Sequence, residues 1–218
     1  MKKLLSILLI LSLSLTFLMI SIENNAYNKN YYLRSYKKYN IESETGRIMY
    51  ELDEITNHII NYLKGKGGDK LLEPYFNERE VMHMRDVQNL FKYERLVKYF
   101  FGIISIIIMG YLGYKKEYKF LGKTLVFGLF INYIALIILS LFIISDFNKY
   151  FTIFHYIFFS NELWLLNPQT DLMIQMLPEE FFIGMAKKIG LSFFIYLSIL
   201  QIIGIYYMKK GREEWKEL

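Results

Sequence analysis

"TLVFGLFINYIALIILSLFIIS", Thr124 to Ser145, carries no charged side chain. As a helix it is about 33 Å long, enough to cross a hydrocarbon core of roughly 30 Å, where a backbone must satisfy its own N–H and C=O groups. The stretch reads as a transmembrane helix. Working outward from it, three more apolar blocks reach the same length: Leu4 to Ile22, Leu96 to Tyr114 and Ile189 to Met208. The Leu96 block is the least clean, because Lys98 lies near its start, and Lys98 is expected to snorkel to the interface. The whole chain of 218 residues is 54% hydrophobic and 18% aromatic, with the apolar residues gathered between charged segments. That distribution belongs to a membrane protein and not to a soluble protein with a large core.

The expected fold is an all-α membrane protein, a four-transmembrane-helix bundle with a small, mostly helical extracytoplasmic cap. Residues 1–218 read as a single membrane domain with spans at about 4–22, 96–114, 124–145 and 189–208 and a cap drawn from 23–95 and 146–188. Lys2 and Lys3 before the first apolar run also suit a secretory signal peptide, but the run is long for one, and "MISIENNAYN" has no A-x-A-like cleavage pair. The run is read as an anchor. There is no cysteine, which excludes lipidation of this chain on a thiol, thiolate catalysis, disulfides and cysteine metal sites.

Orientation follows from Lys and Arg in the short loops. The link "YKKEYKFLGK" carries Lys115, Lys116, Lys119 and Lys123, and the tail carries Lys209, Lys210, Arg212 and Lys216. With Lys2 and Lys3, three segments that share one side of a four-span protein are basic, so both termini are expected in the cytoplasm. The basic pI is thereby explained without nucleic acid. All three histidines, His58, His83 and His155, then fall on the extracytoplasmic side.

The first outer segment has helical signals. "YELDEITNHIINYLKGKGG" spaces Leu52, Ile55, Ile59, Ile60 and Leu63 at helical intervals and stops at glycines. A second helix is expected from about Asn77 into the second span, with Asn77 as N-cap and Glu80 three positions on, as in a capping box. In "YFTIFHYIFF" nearly every position is apolar, so periodicity does not separate helix from strand. That run is expected at or in the membrane interface, where Trp164 and the tyrosines are at home.

Two constellations bear chemistry. Glu80, His83 and Asp86 recur at steps of three, so on a helix a carboxylate can reach the imidazole, fix its tautomer and raise its basicity. The bland alternative is a solvated helix face. Downstream, His155 is followed by Asn161, Glu162, Trp164 and Asp171. The Asn161 amide and the Trp164 indole are donors suited to a developing oxyanion or a headgroup, against the plainer roles of loop capping and interfacial anchoring. Asp171 reads as a turn or cap residue, and His58 as a surface or packing residue of the amphipathic helix.

The ordered pattern E-x-x-H-M-x-D-V (Glu80 to Val87), F-H-x-x-F-F-x-N-x-x-W (Phe154 to Trp164) and D-L-x-I-x-x-L-P-E-x-F-F (Asp171 to Phe182) resembles the lipoprotein intramolecular transacylases of Firmicutes. The resemblance covers the whole chain, four spans included. It implies a bacterial cytoplasmic-membrane enzyme that moves one acyl chain from the glyceryl ester of a diacylated lipoprotein to the α-amino group of its N-terminal cysteine, giving the lyso-form. It further implies that membrane phospholipid surrounds the site, which lies on the extracytoplasmic side, with His83 and His155 as the acid–base pair and no cofactor or metal. Glu80, Asp86, Asn161 and Trp164 would support them. One histidine then serves as base and the other as oxyanion donor, with the two assignments open; one of them makes His155 the base and has His83 oriented by Asp86 or Glu80. Two other classes compete: a lipid-binding or sensory membrane protein, and a lipid hydrolase holding a metal on His83, His155, Glu80, Asp86 and Glu162.

Overall fold

The computed structural model describes residues 2–213; Lys216 of the basic tail lies outside the described residues. Most of the described chain is helical, with no strand among the described residues. Four helices are long and apolar enough to cross a membrane. They are α1 (Lys2–Ala26), α5 (Glu78–Tyr114), a composite of α6 (Tyr118–Lys123) and α7 (Phe130–Ser145), and α10 (Glu179–Glu213). Between α1 and α5 come α2 (Lys29–Lys38), α3 (Ile41–Thr45) and α4 (Met49–Leu63). Between α7 and α10 come α8 (Phe147–Phe158) and α9 (Leu172–Met176). Each expected apolar block falls inside one of the four long helices, and α4 covers the stretch read as amphipathic.

The chain divides into two compact units. The first comprises Met1–Ile22, Arg95–Leu141 and Lys188–Leu218. Its core is Leu9, Leu13, Ile108, Leu112, Leu121, Leu125, Leu129, Phe193, Leu197 and Leu200. On the outward faces large apolar side chains lie open, Ile106 at 72% and Ile137 at 61% exposure among them. A water-facing helix would carry polar residues there, so these faces suit lipid. Lys98 is buried, with Nζ 5.0 Å from the Tyr99 ring centroid.

Polar groups in the spans bond to one another, as a low-dielectric surround requires. Gln201 Nε2 donates to the Val126 carbonyl at 2.8 Å, and its Oε1 accepts from the Tyr133 hydroxyl at 2.9 Å. Val126 lies in a π-helical turn, Thr124–Gly128, where the helical ladder is out of step and a side-chain donor finds a free acceptor. Asn132 donates within its own span, to the Leu129 carbonyl at 3.2 Å. Next to this turn α6 and α10 touch backbone to backbone: a Cβ on Gly122 would lie 2.6 Å from both the Gly204 carbonyl oxygen and the Met208 nitrogen. Gly122→Val therefore forces the two helices apart and costs about 1–3 kcal/mol of stability. Thermal unfolding in detergent, read beside the wild type, checks this.

The second unit is Glu23–Glu94 with Phe142–Lys187. Helix α4 forms its centre, burying Leu52, Ile55, Ile59, Ile60 and Leu63 on one face, as the helical spacing predicts. Helix α2 packs on α4 through Tyr32 and Tyr36; the Tyr36 hydroxyl donates at 2.8 Å to Thr56, whose own hydroxyl donates to the Leu52 carbonyl. Phe181 packs, tilted, against the Tyr31 and Tyr32 rings at 5.0 and 4.9 Å, and Tyr31 donates to its carbonyl at 2.6 Å. The Tyr32 hydroxyl donates to the Ala26 carbonyl at 2.9 Å, so the hydroxyls of Tyr31, Tyr32 and Tyr36 each have a partner.

Candidate active site

Both candidate histidines lie in the second unit. Helix α5 begins with the expected capping box: Glu80 N–H donates to Asn77 Oδ1 at 3.0 Å, and Asn77 N–H donates to Glu80 Oε2 at 2.8 Å. His83 stands one turn further on. The residues from 78 to 95 are rich in charge and precede the apolar part of α5, so His83 sits outside the membrane-spanning segment. The run that periodicity left ambiguous is helix α8, capped by Asp146, whose carboxylate accepts from Lys149 N–H at 3.0 Å. Helix α8 presents His155 on its buried side.

The two imidazoles meet. Their centroids are 6.2 Å apart with planes inclined at 34°, although 72 residues separate them along the chain. Each histidine is 8% exposed. Around His155 stand Phe151 edge-on at 4.4 Å, Phe159 at 5.6 Å and the Trp164 indole stacked at 4.7 Å; Phe159 also meets His83 edge-on at 5.3 Å. This aromatic shell makes the pair dry.

Burial disfavours a charged imidazole. It pushes His83 down to about 4, with help from neighbouring His155 and against the pull of Asp86. His155 is also lowered by burial, partly countered by its hydrogen bond to Phe151. Both rings are neutral near pH 7.

The ring nitrogens differ in their partners. His155 Nδ1 lies 2.7 Å from the Phe151 carbonyl oxygen. A carbonyl only accepts, so Nδ1 carries the proton and Nε2 keeps its lone pair. His83 Nδ1 is buried with no hydrogen-bond partner. A buried orphan N–H costs more than a bare acceptor, which places the proton of neutral His83 on Nε2. One ring offers a base and the other a donor.

The carboxylates do not orient His83 by hydrogen bonds, contrary to the expectation from their spacing. Glu80 Oε2 serves the capping box and Oε1 accepts from Met173 N–H at 2.6 Å, which ties α5 to α9. Burial raises its pKa, and these two amides oppose the rise. Asp86 Oδ2 accepts from Asn161 Nδ2 at 2.8 Å. The proposed oxyanion donors are likewise engaged: Asn161 through that bond, and Trp164 Nε1–H by donating to the Asn161 carbonyl at 2.9 Å. Asp171 closes a turn, accepting from Asn167 N–H at 2.8 Å, and also takes bonds from Thr170 and Asn77. His58 sits on α4 with Nε2 4.0 Å from Glu54 Oε1 and its ring 5.4 Å from Tyr75, a half-buried packing position. Among the described residues no three His, Asp or Glu side chains gather in a way that would hold a metal ion. Two backbone groups that the motif did not reveal matter here, the Phe151 carbonyl and the Met173 amide. Phe151 is four residues before His155, so the first becomes visible once α8 is known to be helical.

Two stability results follow. Glu80→Ala removes half of a capping box and strands a buried amide, lowering stability by about 1–3 kcal/mol; thermal melting or limited proteolysis reads it. Acidification also weakens the fold. Unfolded histidine takes its proton near 6.5 and folded His83 near 4, so between those values the unfolded chain binds more protons. Stability is full above pH 6.5 and falls as pH drops toward 4, by roughly 3 kcal/mol from this residue. Melting curves across that window, with His83→Gln as the flattened control, check the sign.

Residues 7–182 match the family described as lipoprotein intramolecular transacylase Lit. The chain belongs to that family. Solved Lit structures are similar over the whole length. The in meso structure of membrane-integral Lit from Bacillus cereus has a TM-score of 0.85 and 28% identity, with 98% of each chain covered. Two variants of that protein, in which a histidine is replaced by arginine or by alanine, have TM-scores of 0.82 and 0.80 at 28% identity. They cover 98% of this chain, and 95% and 96% of their own. No curated protein sequence matches the chain.

Proposed function

We propose that this chain is a lipoprotein intramolecular transacylase that moves an acyl chain from the glyceryl ester of a diacylated lipoprotein to the α-amino group of the same N-terminal cysteine. His155 is the base and His83 the oxyanion donor. The observation that carries this reading is the meeting of two buried imidazoles, His83 and His155, inside an aromatic shell, with His155 Nδ1 on the Phe151 carbonyl and His83 Nδ1 without a hydrogen-bond partner.

The amine nitrogen attacks the ester carbonyl carbon, forming the C–N bond, and gives a proton to His155 Nε2. His83 Nε2–H faces the oxygen that becomes negative. Collapse breaks the bond to the glyceryl oxygen, which takes the proton from His155, so the products are an amide and a free hydroxyl. Attack closes a ring of roughly eight atoms, and holding that folded geometry supplies the advantage of an intramolecular step. An α-amino group titrates at about 7.7–8.0, so at neutral pH it first loses one proton to solvent, and the free amine then attacks as His155 takes the second.

The shell gives the aromatic run its purpose, because water would hydrolyse the activated ester. Neither ring is open, so an ester reaches them only as surrounding side chains part; Phe154 and Phe158, at 39% and 51% exposure, are placed to yield. The basic loops support cytoplasmic termini and a site facing the outer leaflet, where the acyl chains of the substrate and of phospholipid lie together. The test is expression in cells that lack lyso-form lipoprotein, followed by mass spectrometry of lipoprotein N-terminal peptides. The expected product carries one acyl chain on nitrogen and one on the glyceryl group. Unchanged diacylglyceryl peptides from cells holding the inserted protein would defeat the proposal.

A further inference from the structure

We propose that Asp86 is a positioning residue for His155, acting through Asn161 and Trp164. This rests on His155 being the group that meets substrate. Asp86 lies on α5 one turn beyond His83, which made it look like a partner of that ring. Its hydrogen bond goes instead to Asn161, 75 positions away. Asn161 is held in one orientation, since Nδ2 donates to Asp86 while Oδ1 accepts from Leu163 N–H at 3.0 Å. Exchanging its oxygen and nitrogen would lose both bonds.

From Asn161 the chain of contacts runs to the base. The Trp164 indole N–H donates to the Asn161 carbonyl at 2.9 Å, and the indole lies on His155 with centroids 4.7 Å apart and planes 27° from parallel. The Nδ1–H bond to Phe151 fixes His155 along one line, and the tilt of the ring about that line is set by the rings packed against it. The indole face limits that tilt on one side. Arg79 adds a second tie, donating to the Glu162 carbonyl at 2.8 Å. Arg79 and Asp86 are two helical turns apart on α5, so the loop that carries Trp164 is clamped at two points along one helix face. Asp86 therefore aims the base without touching substrate.

Four variants test this in purified protein turning over a diacylated lipopeptide. Asp86→Ala and Asn161→Ala each lower kcat by about 10–100-fold and leave KM within about twofold, since misplacing a base by an ångström costs rate more than binding. Asn161→Asp alone sets two carboxylates face to face and lowers kcat at least as far. The exchange variant, Asp86→Asn with Asn161→Asp, restores a donor opposite an acceptor and keeps the bond to Leu163, returning kcat to within about fivefold of wild type. Asp86→Ala at wild-type kcat would overturn the proposal. So would an exchange variant as slow as Asn161→Asp while melting like the wild type. If either alanine variant melts early, the exchange variant decides. An inactive His155→Ala beside an unaffected Asp86→Ala removes only the positioning role, whereas an active His155→Ala removes the reading on which it rests.

Discussion

His155→Ala lowers acyl transfer by about 10²–10⁴-fold, the usual contribution of a positioned acid–base group. The loss appears in kcat, because the amine still binds beside the ester but has no acceptor for its proton. Alanine in place of His155 on α8 keeps the helix and leaves the Phe151 carbonyl with its ordinary place in the helical ladder, so the protein stays inserted. Lyso-form lipoprotein in intact cells, compared at matched membrane levels of the two proteins, is the measurement. Turnover near wild type would show that the proton leaves by another route.

His83→Ala has the second large effect, about 10²–10³-fold, the range for removing one oxyanion donor. The informative comparison is His83→Gln. A glutamine amide offers an N–H donor near the position of imidazole Nε2 but cannot act as a base near neutral pH. If His83 stabilises the oxyanion, glutamine recovers part of the lost rate. If His83 is the base, glutamine is as slow as alanine. The two variants thus assign the roles of the two rings, which neither alanine variant does alone.

Parts of this site were legible in the sequence and parts were not, for physical reasons. The absence of charge from Thr124 to Ser145 is enough to place a span. Asn77 and Glu80 announced their capping box, because both partners lie within one turn. Helix α8 was not legible: when almost every residue is apolar, periods of 2 and 3.6 look alike. The partners of Glu80 and Asp86 were misread for a different reason. Spacing by three brings each carboxylate near His83, but the bonds actually made reach 93 positions to Met173 and 75 to Asn161. Local rules weigh only neighbours on the same helix, and an amide brought in by the fold is the better partner.

The bond between His155 Nδ1 and the Phe151 carbonyl has an evolutionary consequence. Every amino acid supplies a main-chain oxygen, so drift at position 151 can alter the fit of the aromatic ring while the hydrogen bond of the His155 ring passes unchanged from ancestor to descendant. What selection must preserve is the coil of the helix between the two residues, and a lineage loses the trait only by unwinding it.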